Sequence, residues 1–136
     1  MKYALDTNVV FRYLKNESPS VQNVDDALAE NHKLYIPKIV DYEVRRGFKL
    51  MCQPSHRKEL VYKLLTQRCP VIEMDTIVWE RATNVYKELY RKGFTVGELD
   101  ILIAAFCLTN DLALVTNNVK DFTNIDGLEI VDWTQS

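Results

Sequence analysis

Short apolar runs recur along the chain, each followed by a longer stretch whose apolar residues fall at helical spacing. Lys2 to Leu5 reads as a first strand. Val9-Val10-Phe11 and Tyr13-Leu14 predict a short helix that ends before Asn16-Glu17-Ser18-Pro19. Ser18 or Ser20 can open a second helix, on which Val21, Val24, Ala27 and Leu28 share a face. The polar break Asn31-His32-Lys33 leads into a second strand, Leu34-Tyr35-Ile36, stopped by Pro37. A third helix runs from about Lys38 toward Met51, with Ile39, Val40, Val44, Phe48 and Met51 as its apolar members.

Gln53-Pro54-Ser55 breaks the chain, and Ser55 can cap a fourth helix with Leu60, Val61, Leu64 and Leu65 inward. Pro70-Val71-Ile72 is a third strand. Asp75 caps a fifth helix, about Ile77 to Arg91, with Ile77, Val78, Ala82, Val85, Tyr86 and Leu89 inward and Lys92-Gly93 ending it. Thr95 and Glu98 have the spacing of a capping box. The helix they precede, Leu99 to Leu108, is apolar nearly all round, which places it in the core. Asn110-Asp111 turns into a fourth strand, Leu112 to Val115, and a turn at Gly127 leads to a last strand, Leu128 to Val131.

Helices alternate with short strands throughout, and nothing signals a hairpin. The pattern predicts a single three-layer α/β/α domain over residues 1–136, with a short parallel sheet of four to five strands covered on both faces.

Three carboxylates break this pattern. Asp6 follows the first strand directly and is trailed by the small polar residues Thr7 and Asn8. In open α/β sheets ligands gather at such strand ends, although Asp is also a favoured helix cap. Glu43 lies four residues after Ile39, three after Val40 and four before Gly47, within the apolar stripe of its helix. An unpaired acid there is costly, unless it reaches the helix edge or pairs with Arg46 or Arg12. Asp100 opens the most apolar helix and shares a face with Ile103, Ala104 and Cys107. The helix dipole favours an acid at that terminus but does not explain a charge so deep in the core.

Brought together, such acids repel strongly unless a cation lies between them. Oxygen ligands without His or Cys select Mg²⁺, or Mn²⁺, over zinc. Such an ion can activate water and neutralise charge on a phosphoryl group.

Composition narrows the classes further. With 136 residues, 47% of them hydrophobic, and a net charge of −2, the chain is an ordinary globular domain. It is not a bulk electrostatic binder of nucleic acid, so nucleic acid must be met through a local basic patch or a bound cation. Cys52, Cys69 and Cys107 form no C-x-x-C pair, and the reading is reduced thiols. His32 and His56 lack ligand spacing, and no G-x-S-x-G elbow supports a serine hydrolase. Neither a signal peptide nor a membrane span is expected, which reads as a cytoplasmic protein.

Four pieces then come in a familiar order. They are Leu5-Asp6-Thr7-Asn8, Glu43 on an early helix, Asp100 ahead of Ile103-Ala104-Ala105, and Val115-Thr116-Asn117-Asn118 followed by Asp121-Phe122. Taken together they resemble the PIN-domain ribonucleases, and within them the VapC-type toxins of bacterial toxin–antitoxin pairs. The resemblance spans essentially the whole chain. It implies a metal-dependent endoribonuclease acting on cellular RNA, tRNA among the candidates. Asp6 and Asp100 would bind Mg²⁺ directly, Glu43 would complete the acid cluster directly or through water, and the Thr116 hydroxyl would orient its neighbours. Many members carry a fourth acid two residues after that threonine. Asn118 stands there in this chain, and Asp121 is the alternative. The resemblance also implies a cognate antitoxin and a homodimer.

For RNA contact the sequence offers Lys38, Arg45, Arg46 and Lys49 beside Glu43, with Arg57 and Lys58 on the next helix. The same residues fit a merely solvated helix face. Two rivals remain at this level. An aspartyl-phosphate phosphatase would use Asp6 as nucleophile, but that chemistry wants a second Asp two residues on, where Asn8 stands. A non-catalytic protein-interaction module would be indifferent to metal. A nucleotide-binding loop is disfavoured because no glycine precedes Gly47.

Overall fold

The computed structural model describes residues 1–53 and 55–134. Pro54, part of the expected break, and the last two residues lie outside the described residues. Among the described residues five strands are formed: β1 Lys2–Leu5, β2 Lys33–Pro37, β3 Val71–Ile72, β4 Ala113–Val115 and β5 Ile130–Val131. The described residues also form the helices α1 Thr7–Leu14, α2 Ser20–Ala29, α3 Lys38–Leu50, α4 His56–Arg68, α5 Thr76–Lys92, α6 Glu98–Asn110 and α7 Val119–Phe122. The last of these, α7, was not expected from the sequence.

The strands make one five-stranded sheet in the order β3-β2-β1-β4-β5, and every pairing is parallel. Consecutive residues of a strand point to opposite faces. Ala113, Leu114 and Val115 of β4 are all buried, so both faces of the sheet are covered. This is the α/β architecture the alternating pattern predicts.

The chain runs outward from β1 through β2 to β3, then returns to the other side of β1 for β4 and β5. The reversal falls between β1 and β4, where Leu5 stands opposite Val115. Beyond the last pair, the Asp6 amide donates to the Val115 carbonyl at 2.9 Å and the Thr116 amide to the Val131 carbonyl at 3.0 Å. Asp6 and Thr116 therefore leave adjacent strand ends at the point where a crevice opens.

Several local expectations hold. Ser55 caps α4 by accepting from the Lys58 amide, and Asp75 caps α5 by accepting from the Val78 amide. Gly93 ends α5 at φ 80°, a left-handed conformation that favours glycine. Gly47 has a packing reason instead, since a Cβ there would sit 3.0 Å from the Phe11 ring. That close approach draws α3 against α1 and brings Glu43 within reach of Thr7.

Others are corrected. Neither Ser18 nor Ser20 caps α2: Pro19 occupies the N-cap position already in a helical conformation, and Ser20 is the buried first residue of the helix. The capping box at Thr95 and Glu98 does not form. Gly97, in extended conformation, is the N-cap of α6, so Glu98 becomes its first residue and Asp100 its third. On α4 the buried residues are Tyr62 and Leu65, while Leu60 and Leu64 are exposed. Tyr62 turns inward because its hydroxyl meets buried Asp41 and its ring packs edge-on against Phe48. On α5, Val78, Ala82, Val85 and Leu89 are buried, whereas Ile77 and Tyr86 are exposed at the margins of that stripe.

Candidate active site

Asp6 stands between the end of β1 at Leu5 and the start of α1 at Thr7. Its backbone is extended, and its carboxylate accepts from the Thr7 amide at 2.8 Å, so it does cap α1. The cap uses only Oδ1. Oδ2 accepts from the Thr116 hydroxyl at 2.7 Å and from the Asn8 side-chain amide at 2.8 Å. Both partners are held in turn. The Thr116 hydroxyl accepts from the Asn118 amide at 3.0 Å, and Asn8 Oδ1 accepts from the Asn117 amide at 3.1 Å. The segment after β4 is thereby tied to the segment after β1.

Asp6 is 4% exposed, yet all these donors are neutral. Burial pushes its carboxyl above the usual range, the hydrogen bonds from Thr116, Thr7 and Asn8 oppose that rise, and the charge of Asp121 adds to it. Asp100, in the first turn of α6, is partly buried. Burial, followed by the charges of Asp6, Asp121 and Glu43, pushes its carboxyl up to about 6. The acids from β1, α3, α6 and α7 thus lie in one another's field. Glu43 accepts from the Thr7 hydroxyl at 2.8 Å, and the Arg46 guanidinium stands 3.8 Å from its other oxygen. Arg12 pairs with Glu17 at 3.2 Å instead.

Asn118 and Asp121, the two candidates for the fourth position, stand differently toward the cluster. Asn118 is exposed, and the contact it makes to this group is through its backbone amide. Asp121, one turn along at α7, is the residue whose charge reaches both Asp6 and Asp100. The Asn118 side chain is not brought into the cluster by any hydrogen bond among the described residues.

Among the described residues, no three His, Cys, Asp or Glu side chains are gathered closely enough to hold a metal as they stand. A hard cation does not need three. Mg²⁺ characteristically takes one or two carboxylates and keeps several waters. Asp6 and Asp100 would supply that pair, and two carboxylates as ligands fit Mg²⁺ or Mn²⁺ rather than zinc.

The basic candidates divide. Arg45 Nε donates to both oxygens of Asp41, at 3.0 and 3.1 Å, and Lys38 donates to Asp41 at 3.4 Å. Arg57 donates to the Leu14 carbonyl at 3.0 Å. Lys49 is exposed. Asp41 itself, 2% exposed, was missed from sequence. Its signal was present all the same: Lys38 and Arg45 flank it at the helical spacings that mark an ion-paired acid.

Comparison with known proteins follows the same lines. The family model of the PIN domain matches residues 3–128. The chain is 28% identical over 133 residues to Ribonuclease VapC2 of Rickettsia felis, covering 98% of each. It is 29% identical over 133 residues to the tRNA(fMet)-specific endonuclease VapC of Salmonella typhimurium, again covering 98% of each. Among solved structures, VapBC2 from Rickettsia felis bound to a DNA fragment from its promoter superposes with a TM-score of 0.89 at 25% identity, covering 98% of this chain and 99% of that one. DNA-bound VapBC from Salmonella typhimurium gives a TM-score of 0.86 at 29% identity, covering 98% of each.

Proposed function

The chain belongs to the PIN-domain family, and from that premise we propose that it is a metal-dependent endoribonuclease, the toxin of a toxin–antitoxin pair acting in the cytoplasm. The observation that carries the reading is the buried Asp6 carboxylate. It is held by neutral donors at the junction of two strand ends and lies in the field of other acids.

The chemistry follows from that arrangement. Mg²⁺ or Mn²⁺, when bound, would neutralise charge on a phosphoryl group and supply an activated water. Asp6 and Asp100 would hold it. The Thr116 hydroxyl and Asn8 amide fix the direction of the Asp6 oxygens, the kind of supporting contact that keeps a ligand in place. Glu43, oriented by the Thr7 hydroxyl, and Asp121 complete the negative lining. A cation bound beside Asp100 would lower its raised carboxyl pKa.

The relatives at 28–29% identity include a tRNA(fMet)-specific endonuclease, which makes tRNA the first substrate to try. The structural neighbours are toxin–antitoxin complexes, which supports a cognate antitoxin for this chain. A homodimer completes the proposal. The test is cleavage of tRNA and total RNA by the purified protein with Mg²⁺ or Mn²⁺, repeated in chelator and with Asp100→Asn. Undiminished cutting in chelator would falsify the metal-dependent reading. Expression without antitoxin should arrest growth, and expression of Asp100→Asn should not.

A further inference from the structure

Helix α3 carries two arginine–tyrosine pairs, and they differ in one respect. Arg45 lies over the Tyr62 ring at 5.9 Å from its centroid, and that ring is 3% exposed with its hydroxyl spent on Asp41. Arg46 lies over the Tyr42 ring at 5.2 Å, and that ring is 52% exposed. No hydrogen bond occupies the Tyr42 hydroxyl among the described residues. The first pair is explained by packing. The second is not.

An exposed aromatic residue on its own is ordinary. The surroundings of Tyr42 are not. The guanidinium that covers part of its ring is the one 3.8 Å from Glu43 Oε2, and Glu43 Oε1 takes the Thr7 hydroxyl at 2.8 Å. Tyr42, four residues before Arg46 on α3, is therefore joined through Arg46 to Glu43, the acid that meets Thr7. Proteins that read unpaired RNA use such open rings: bases splayed from the strand stack on aromatic faces or on guanidinium planes, while cations meet the phosphates.

We propose that Tyr42, held by Arg46 beside Glu43, is the stacking platform for an unpaired base next to the phosphate that is cut. The inference rests on the ribonuclease reading and adds a substrate-positioning residue to it. The ring faces a base of any identity, so the platform selects unpaired over paired RNA rather than one base over another. Arg46 has two tasks: it holds the ring, and it supplies positive charge between the base and the acid cluster.

Three proteins test this: wild type, Tyr42→Leu and Tyr42→Phe, each assayed for KM and kcat on tRNA in Mg²⁺. Removing a stacking ring from one base weakens binding by about tenfold. Tyr42→Leu should therefore raise KM by about that factor with kcat little changed, and Tyr42→Phe, which keeps the ring, should restore the wild-type KM. The spectroscopic counterpart uses Asp100→Asn as the host, so that RNA is not consumed. Single-stranded oligoribonucleotides carrying 2-aminopurine at each position in turn should show one position quenched on binding, and Tyr42→Leu should abolish that quench alone.

An unchanged KM in Tyr42→Leu, or equal losses in Tyr42→Leu and Tyr42→Phe, overturns the platform while leaving the ribonuclease reading intact. Failure of wild type to cut RNA in Mg²⁺ overturns the reading instead. Even then the quench decides the platform, since its absence with the ring present counts against it. If Tyr42→Leu weakens binding of the antitoxin but alters neither KM nor the quench, the ring belongs to a protein interface and the inference is wrong.

Discussion

Asp41 and Asp6 are both nearly withdrawn from water, at 2% and 4% exposure, but their neighbours differ in charge. Asp41 receives the Tyr62 hydroxyl at 2.7 Å and the Arg45 guanidinium at 3.0 Å, with the Lys38 ammonium at 3.4 Å. Its charge is balanced within the fold. Asp6 receives two amides and a hydroxyl, all neutral, and the charged groups that reach it or its neighbour Asp100 are other acids. A buried charge that is hydrogen-bonded but not neutralised costs stability unless something else supplies the opposite sign. The contrast shows that burial alone does not mark a functional acid. The sign of what surrounds it does. Asp41 belongs to the packing of α3 on α4, and Asp6 to the crevice at which we propose a cation binds.

Substitution at each acid sharpens this contrast. The largest effect should come from Asp6→Asn or Asp100→Asn in a cleavage assay. Loss of a supporting contact at a metal site costs 10–100-fold, so loss of a direct ligand should lower the rate by more than about a hundredfold. The same assay on Asp41→Ala should retain activity per folded molecule. Asp100→Asn is the cleaner of the two crevice variants, because an amide at position 6 cannot accept from all three donors that Asp6 now satisfies.

Next in size is the stability cost of Asp41→Ala. It strands the buried Tyr62 hydroxyl and removes the partner of two cations, although both cations are largely exposed and can turn to water. Urea denaturation should show a loss of about 3 kcal/mol. Equal stability of Asp41→Ala and wild type would dissolve the distinction between the two acids.

Added Mg²⁺ should raise the melting temperature of wild type, with a stabilisation of about 2.7 kcal/mol at a hundredfold excess over its dissociation constant. The gain should persist in a variant of the structural acid, Asp41→Ala, and should be much smaller in Asp100→Asn. Equal shifts in all three proteins would mean that the cation is not held by the crevice acids.

The smallest effect concerns the metal-free protein. Asp100→Asn removes one of the mutually repelling charges and should stabilise it, by about 1 kcal/mol at neutral pH. The sign of the pH dependence follows from the raised Asp100 carboxyl, at about 6 against an ordinary 3.8. Between those values the folded chain holds more protons than the unfolded one, so stability is full at low pH and is lost as pH rises through about 6. Thermal melts of metal-free wild type should fall across that window, those of Asp100→Asn should fall less, and Mg²⁺ should recover the loss at pH 7. A metal-free wild type whose melts instead rise from pH 4 to 7 relative to Asp100→Asn would reverse the assignment of these acids.

Much of this was legible in the chain itself. Apolar runs of a few residues alternating with helical periodicity dictate a parallel, doubly covered sheet. Asp6 at the end of β1, the caps at Ser55 and Asp75, and the left-handed stop at Gly93 are properties of neighbouring residues, and each stands where the sequence places it. Glu43 and Asp100 stood out because a charge interrupts an apolar stripe. The expected capping box failed because Gly97, two residues beyond Thr95, accepts the extended conformation of a cap and starts the helix later.

The tertiary structure decided which acid is paired with what. Asp41 lies two residues from Glu43 on the same helix, and the two have similar flanking charges. Lys38 and Arg45 on its own helix balance the charge of Asp41, and the arrival of Tyr62, 21 positions away, ties it into the packing of α4. Only Thr7, 36 positions away, turns Glu43 toward the crevice. The Thr116 hydroxyl that fixes Asp6 comes from 110 positions away. The strand order that places β4 beside β1 brings those two residues together. Periodicity reports which way a side chain faces, because that is a property of one helix or strand. The distant partner it meets there, Tyr62 beside Asp41 or Thr116 beside Asp6, is a property of chain crossings, which no single element's pattern records.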